Sequence, residues 1–476
     1  MEIDDLLKFM VKQEASDLHL KPMRPPLMRI NGRLLPLKTD PLTPDVIKDM
    51  IYKVLSDRQR THLEDNLWLD FGYSLKGVSR FRSSVYFQRG TLAAVFRRLP
   101  FQFPTLDEWG LPEILKHFGT LPNGLVLLAG SAGSGKSSTL AAIGREILEK
   151  RLVHVITIED PIEFLLTDNL GSVSQREVGT DTRSFNDALR NALRQDPDVI
   201  VVGEMLDPAT IATVMTAAET GHLVFSTVHA SSAPQAIERI VDSFPESQQR
   251  PMRSKLGQVL EGIVAMQLVE RADGKGLVAA VEILRKSPKV GRLIQQGLMS
   301  ELHEEIEASV SFEKMQSMNQ SLAALVINGA VTVEIALAAS PSPSDLDLEI
   351  RKFLPHTGPT ALLDEDDMAE SQADYSKVLE LREIRRMYEE MQERYRQEMT
   401  DKDALIASLR QEMETRGAAQ EAGDSSSRTL QQERDKLAQQ LSFQKQEYET
   451  KIEKLQLRIK ELTAPVESRG GGIFRK

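Results

Sequence analysis

Residues 130–138 read Gly130-Ser131-Ala132-Gly133-Ser134-Gly135-Lys136-Ser137-Ser138, and this stretch restricts the fold more than any other. It satisfies the pattern G-x-x-x-x-G-K-[ST] through Gly130, Gly135, Lys136 and Ser137. An apolar run, Leu125-Val126-Leu127-Leu128, precedes it, and Thr139-Leu140-Ala141-Ala142-Ile143 follows with helical character. A strand, a glycine-rich turn and a helix start form the context of a phosphate loop. The glycines let backbone N–H groups fold around an anion, and the helix N-terminus adds partial positive charge. The whole run is therefore expected to cradle ATP. Lys136 would reach the β- and γ-phosphates, and Ser137 would ligate Mg²⁺. A strand feeding a helix in this way points to an α/β architecture.

The rest of the chain fits that frame. With 476 residues and 41% hydrophobic content, two or three domains with real cores are expected. There are no cysteines, which removes disulfides and thiolate zinc sites. A formal net charge of −11 argues against direct nucleic-acid binding. The start, Met1-Glu2-Ile3-Asp4-Asp5, lacks the basic segment and apolar core of a signal peptide. The most apolar stretch, 321–340, carries Asn328-Gly329 at its middle and reads as two short packed helices.

Residues 1–100 read as a compact α/β domain. A helix over Ile3–Val11 is followed by short strands at Leu18–Leu20, Leu27–Ile30 and Arg33–Leu35, with Asn31-Gly32 as a hairpin turn. Further strands are expected at Arg80–Tyr86 and Ala93–Leu99. From 101 to 355, strands alternate with helices as in a parallel sheet. Val153–Ile158, Val199–Val202 and Leu223–Thr227 are its buried strands. Prolines and the run Asp364-Glu365-Asp366-Asp367 mark 356–371 as a linker. In 372–465, Leu381, Ile384, Tyr388, Met391, Tyr395, Leu405 and Leu409 fall on an a/d register, as do Leu441, Tyr448, Ile452, Leu455, Ile459 and Leu462. A coiled coil with a Gly/Ser break at 417–427 is expected, its partner left open. The end, 466–476, reads as a flexible tail.

Three clusters after the phosphate loop carry the remaining chemistry. Val199–Val202 leads into Gly203-Glu204, so a buried strand delivers the Glu204 carboxylate as general base or as the holder of a water on Mg²⁺. Glu159, Asp160 and Glu163 follow another strand and crowd negative charge around a metal or water. His222 precedes a third strand and His229 follows it, both at sheet edges where a neutral imidazole can meet the γ-phosphate.

In this order, the clusters resemble the Asp box, Walker B and His box of the type II/IV secretion ATPase superfamily. The resemblance covers roughly residues 1–353, including Ala15–Leu20 and Gln175–Gly179. It is strongest toward the PilT/PilU twitching-motility group. Tyr86–Arg89, Leu111–Lys116, Asp273–Gly276 and Ser342–Leu346 are similar to the PilU kind. The resemblance implies a PAS-like N-terminal domain, a RecA-like ATPase domain and a homohexamer. It also implies a cytoplasmic position at the inner-membrane face, against the pilus platform protein, driving pilus retraction alongside a PilT-type paralogue. N-terminal-domain arginines reach the nucleotide in such proteins, which nominates Arg80, Arg82, Arg97 and Arg98, with Arg194 and Arg239 as weaker candidates. The PilT retraction signature aligns with Lys289–Gln296, where Leu293-Ile294 remain but most charges are lost. Leu206 stands where PilT has an arginine, and the coiled coil has no counterpart in the group. Two other readings stay open: a nucleotide-binding scaffold acting through the coiled coil, and a pilus-assembly or type II secretion ATPase.

Overall fold

A computed structural model describes residues 2–30, 32–99, 103–353, 373–417 and 425–463. They fall into two compact units, 2–353 with 373, and 374–463. The expected linker at 356–371 and tail at 466–476 lie outside the described residues.

The first unit contains two sheets. One is antiparallel throughout, in the order β3-β2-β1-β6-β5-β4. Its strands are β1 (Asp17–Leu20), β2 (Leu27–Ile30), β3 (Arg33–Pro36), β4 (Trp68–Leu75), β5 (Ser79–Gln88) and β6 (Thr91–Leu99). Leu18, Met28, Phe81, Val85 and Phe96 form a core with Leu7, Met10, Ile47 and Ile51 of helices Ile3–Lys12 and Pro44–Val54. Side chains alternate along a strand. With Phe81 and Phe96 committed to the core, Arg80, Arg82 and Arg97 must stand on the other face, and Arg82 pairs in register with Arg97. The expected hairpin turn falls partly on Asn31, outside the described residues; Gly32 has φ 78°.

The second sheet runs β13-β12-β7-β11-β10-β8-β9. Its strands are β7 (Gly124–Ala129), β8 (His154–Glu159), β9 (Ser172–Glu177), β10 (Val199–Val202), β11 (Leu223–Val228), β12 (Leu260–Glu270) and β13 (Leu277–Arg285). Every pairing is parallel except β12–β13. All positions of β7, β10 and β11 are buried, the pattern of a parallel sheet covered on both faces. Shared polarity brings the ends Ala129, Glu159, Val202 and Val228 to one edge, where loops collect functional groups. The apolar stretch 321–340 is two helices, with Met318–Ile327 ending at Asn328 and Val333–Ala339 following. Among the described residues, no helix is long and apolar enough to cross a membrane.

The second unit is a helical hairpin of Tyr375–Gly417 and Ser425–Thr463. Arg458 Nη2 reaches Glu380 at 2.6 Å, Gln456 Nε2 donates to the Tyr388 hydroxyl at 2.9 Å, and the rings of Tyr395 and Tyr448 lie 5.8 Å apart. Partners descend in one helix as they ascend in the other, so the helices are antiparallel. The two heptad runs therefore pair with each other. Leu381, Ile384 and Leu462 are the buried seam, flanked by Leu455 and Ile459. One register assignment changes: Leu405 is 47% exposed, whereas its neighbour Ile406 is buried. The helix passes Glu398 and Lys402 in steps of four, which carries the seam on to Ile406. The Gly/Ser break at 417–427 lies mostly outside the described residues, and Ser425 already begins the second helix.

Candidate nucleotide site

Strand β7 emerges into the phosphate loop at Gly130. A Cβ there would lie 2.2 Å from Ser134 Oγ and 2.6 Å from the Met266 carbonyl, so only glycine fits. Gly133 and Gly135 take positive φ of 77° and 99°, and Gly135 caps the helix Lys136–Lys150. Lys136 is buried and its Nζ donates to the carbonyls of Gly130 (2.8 Å) and Ser131 (2.7 Å). Burial lowers its pKa from the usual lysine value, while the charges of Glu204 and Glu163 oppose that shift. Both carboxylates are thus within electrostatic reach of the ammonium. Ser134 Oγ is buried with no hydrogen-bond partner, an unfilled polar position inside the loop. Ser131, Ala132 and Ser137 are exposed and Ser138 is half-buried. A ring of backbone N–H groups, an enclosed ammonium and an unpaired hydroxyl suits a phosphate chain.

The neighbouring strand ends supply the other groups. Gly203 N donates to the Ile158 carbonyl at 2.8 Å, and Thr227 Oγ1 donates to the Gly203 carbonyl at 2.5 Å. These bonds tie the ends of β8, β10 and β11 together and set Glu204 beside His229, with Nε2 3.7 Å from Oε1. Arg239 Nη1 donates to the His229 carbonyl at 2.5 Å, so this arginine reaches the cluster through the backbone. Glu163 accepts from Arg82 Nη1 at 3.3 Å, bringing the N-terminal sheet to the same edge. Glu159 is drawn inward, accepting from Thr157 Oγ1 (2.6 Å) and Gln175 Nε2 (3.1 Å), and burial raises its pKa. Burial, then the charge of Glu177, raises that of Asp160.

Several expected residues lie elsewhere. His222 sits at the start of β11, and its carbonyl accepts from the N–H of Gly124, at the start of β7. A strand at about 3.3 Å per residue separates His222 from His229 by roughly 20 Å. Only His229 belongs to the phosphate-loop edge. Arg194 precedes β10 and is exposed at the far edge for the same reason. Arg80 is engaged in an ion pair with Glu177. Arg97 is held by Asp17, with Nε 2.9 Å from Oδ1. Sequence reasoning missed Glu177 as a site residue because it ends a polar edge strand, β9, which lacks an apolar signature.

Residues 95–354 match the model of the family described as type II/IV secretion system protein. The chain belongs to this family. It is 41% identical over 336 residues to the type IV pilus retraction ATPase PilT of Pseudomonas aeruginosa, covering 71% of this chain and 97% of that protein. It is 40% identical over 338 residues to the type IV pilus ATPase PilU of the same organism, covering 71% and 88%. A solved structure of the pilus retraction motor PilT with bound ADP superposes with a TM-score of 0.68 at 41% identity, covering 73% of this chain and 99% of that one. Identity to PilT and to PilU is nearly equal, so the leaning toward PilU rests on the local features of the sequence. The residues matched by the family model end at 354, before the helical hairpin begins.

Proposed function

We propose that the chain is an Mg²⁺-dependent ATPase motor of the type IV pilus machinery, PilU-like, that couples ATP hydrolysis to pilus retraction. The observation that carries this reading is the convergence of Lys136, Glu163, Glu204 and His229 at the edge where the phosphate loop emerges. Lys136 exchanges the Gly130 and Ser131 carbonyls for the β- and γ-phosphates of ATP. Ser134 Oγ and the loop N–H groups complete the cradle. Glu204, only partly buried and next to His229, orients the attacking water and accepts its proton. His229 stands where it can meet the γ-phosphate. Arg82, already at Glu163, is the N-terminal-domain arginine best placed to face developing phosphoryl charge.

Among the described residues no group of His, Cys, Asp and Glu could hold a metal alone. That suits Mg²⁺, which binds through a few protein oxygens together with substrate phosphates. Ser137 would ligate it and Glu204 would hold it through water. When bound, Mg²⁺ neutralises phosphate charge. The working form is a homohexamer at the cytoplasmic face of the inner membrane, acting on the pilus platform protein beside a PilT-type paralogue.

The test is ATP turnover by the isolated hexameric fraction, joined to pilus imaging of a deletion strain. Mg²⁺-dependent turnover lost in Glu204→Ala with nucleotide binding kept, and piliated cells that no longer twitch, are the expected results. Cells without surface pili would point to assembly instead. Turnover absent even with its partner proteins present would leave the scaffold reading.

A further inference from the structure

Glu177 is the buried end of β9, and its carboxylate is filled from four directions. Oε1 accepts from the backbone N–H of Gly72 and from Thr180 Oγ1, each at 3.1 Å. Oε2 accepts from the backbone N–H of Ile162 at 3.2 Å and from the Arg80 guanidinium. Two of the donors, Gly72 and Arg80, lie on strands β4 and β5 of the N-terminal sheet. Ile162 lies between Asp160 and Glu163. Arg80 is fixed in turn by Nη1 donating to Ser74 Oγ at 2.8 Å. A Cβ on Gly72 would fall 2.3 Å from Arg80 Nη2 and 2.6 Å from Glu177 Oε2, so the strand passes directly over the ion pair. One residue beyond Ile162, Glu163 meets Arg82 on the same strand as Arg80.

We propose that Glu177, Arg80 and Gly72 form a latch by which the N-terminal sheet sets the position of the 160–163 loop, and with it Glu163. Glu177 is a positioning residue, and Arg80 serves the latch instead of the nucleotide. The inference rests on the proposed ATPase reading, in which Glu163 stands with Lys136 and Glu204 at the phosphate-loop edge. The physical reason is geometric. A buried carboxylate with every lone pair engaged has no free acceptor to lend, so the N-terminal strands cannot shift without taking the Ile162 amide with them or breaking the set. Glu163 sits one residue from that amide. Moving a reacting group by about 1 Å can cost on the order of 10²-fold in rate. The latch therefore makes turnover depend on where the N-terminal domain stands, while phosphate binding depends on the loop at 130–138.

The test uses the full-length protein and two kinds of variant. Glu177→Gln removes the charge and one acceptor oxygen. Gly72→Ala changes no charge and drives a methyl into the guanidinium. Amide hydrogen exchange is read without nucleotide in peptides covering 69–75 and 160–164, alongside kcat, KM and the Kd of an ATP analogue. Both variants are expected to speed exchange in both peptides, and to lower kcat by about 10- to 100-fold with KM and Kd within about threefold. The double variant Arg80→Gln/Glu177→Gln is expected to lose no more than Glu177→Gln alone, since both changes break one pair. Unchanged exchange at 160–164, or a fall in Kd affinity matching the fall in kcat, would overturn the latch. A wild type with no turnover under any condition would overturn the ATPase reading, and exchange would still decide the latch. Should Glu177→Gln fail to fold, Gly72→Ala carries the same comparison.

Discussion

The seven-stranded sheet and the helical hairpin show two ways for one chain to use apolar residues. In the sheet, β7, β10 and β11 are buried at every position, and the loops at their ends inherit that rigidity. Glu204 and His229 are held 3.7 Å apart by backbone that cannot adjust independently. In the hairpin, two long helices share a narrow seam that includes Leu381, Ile384, Ile406 and Leu462, and most other described positions are exposed. Fully enclosed strands can aim catalytic groups; a one-seam hairpin can only hold its two helices together. Chemistry therefore belongs to the sheet edge.

The largest expected effects lie at the sheet edge. Glu204→Ala should lower turnover by about 10²- to 10⁴-fold with nucleotide affinity nearly unchanged, measured by steady-state kinetics and analogue binding. Removing the hairpin by a stop after Ala373 should leave turnover within about threefold, and a larger loss would break the contrast. The cut must come after Ala373 because its carbonyl accepts from Gln316 Nε2 (2.8 Å) and Ser321 Oγ (3.2 Å) within the first unit. A stop at 353 would strip those partners from buried groups.

Core substitutions come next. Phe225→Ala in β11, at 1% exposure, should cost about 3–5 kcal/mol in denaturant unfolding of the first unit. In the hairpin, Leu457→Ala, at 60% exposure, should stay within about 0.5 kcal/mol. Between the two histidines, His229→Ala should reduce turnover about tenfold, a loss near 1.4 kcal/mol, and His222→Ala should leave it unchanged. Equal effects would mean that strand polarity does not sort them.

The smallest effect concerns pH. Glu282 in β13 is buried, accepts from the Ala233 N–H at 2.6 Å, and has His303 and Glu307 as charged neighbours. Burial raises its pKa above the ordinary 4.5, against the lowering effects of the Ala233 bond and His303. The folded state then takes up a proton before the unfolded state does. Its contribution to stability rises as pH falls from the raised value toward 4.5. Glu282→Gln should flatten that rise in pH-dependent unfolding curves.

Much of this was legible in the residues themselves. The phosphate loop, the apolar strands 199–202 and 223–227, and the heptad runs are local patterns, and each appears where its spacing placed it apart from the shift from Leu405 to Ile406. Strands β4, β9, β12 and β13 were not read, and for the first two the reason is local. Gly72 interrupts the alternation of β4, and β9 is a polar edge strand. With β9 went Glu177, the carboxylate that accepts from Gly72, Arg80, Ile162 and Thr180.

The sequence by itself determined that the chain has a phosphate cradle, carboxylates after buried strands, and two helices with a shared apolar register. Tertiary structure alone decided which groups meet. His222 and His229 flank the same strand, and only parallel pairing with β7 sends one to the loop and the other to the far edge. Arg80 and Arg82 are two residues apart on one face, and only the approach of β9 gives the first to Glu177 and leaves the second to Glu163. The heptads of 375–417 and 425–463 left their partner open until the chain turned back on itself. In each case the deciding contact joins residues distant in sequence, and no local spacing encodes which distant strand or helix will arrive.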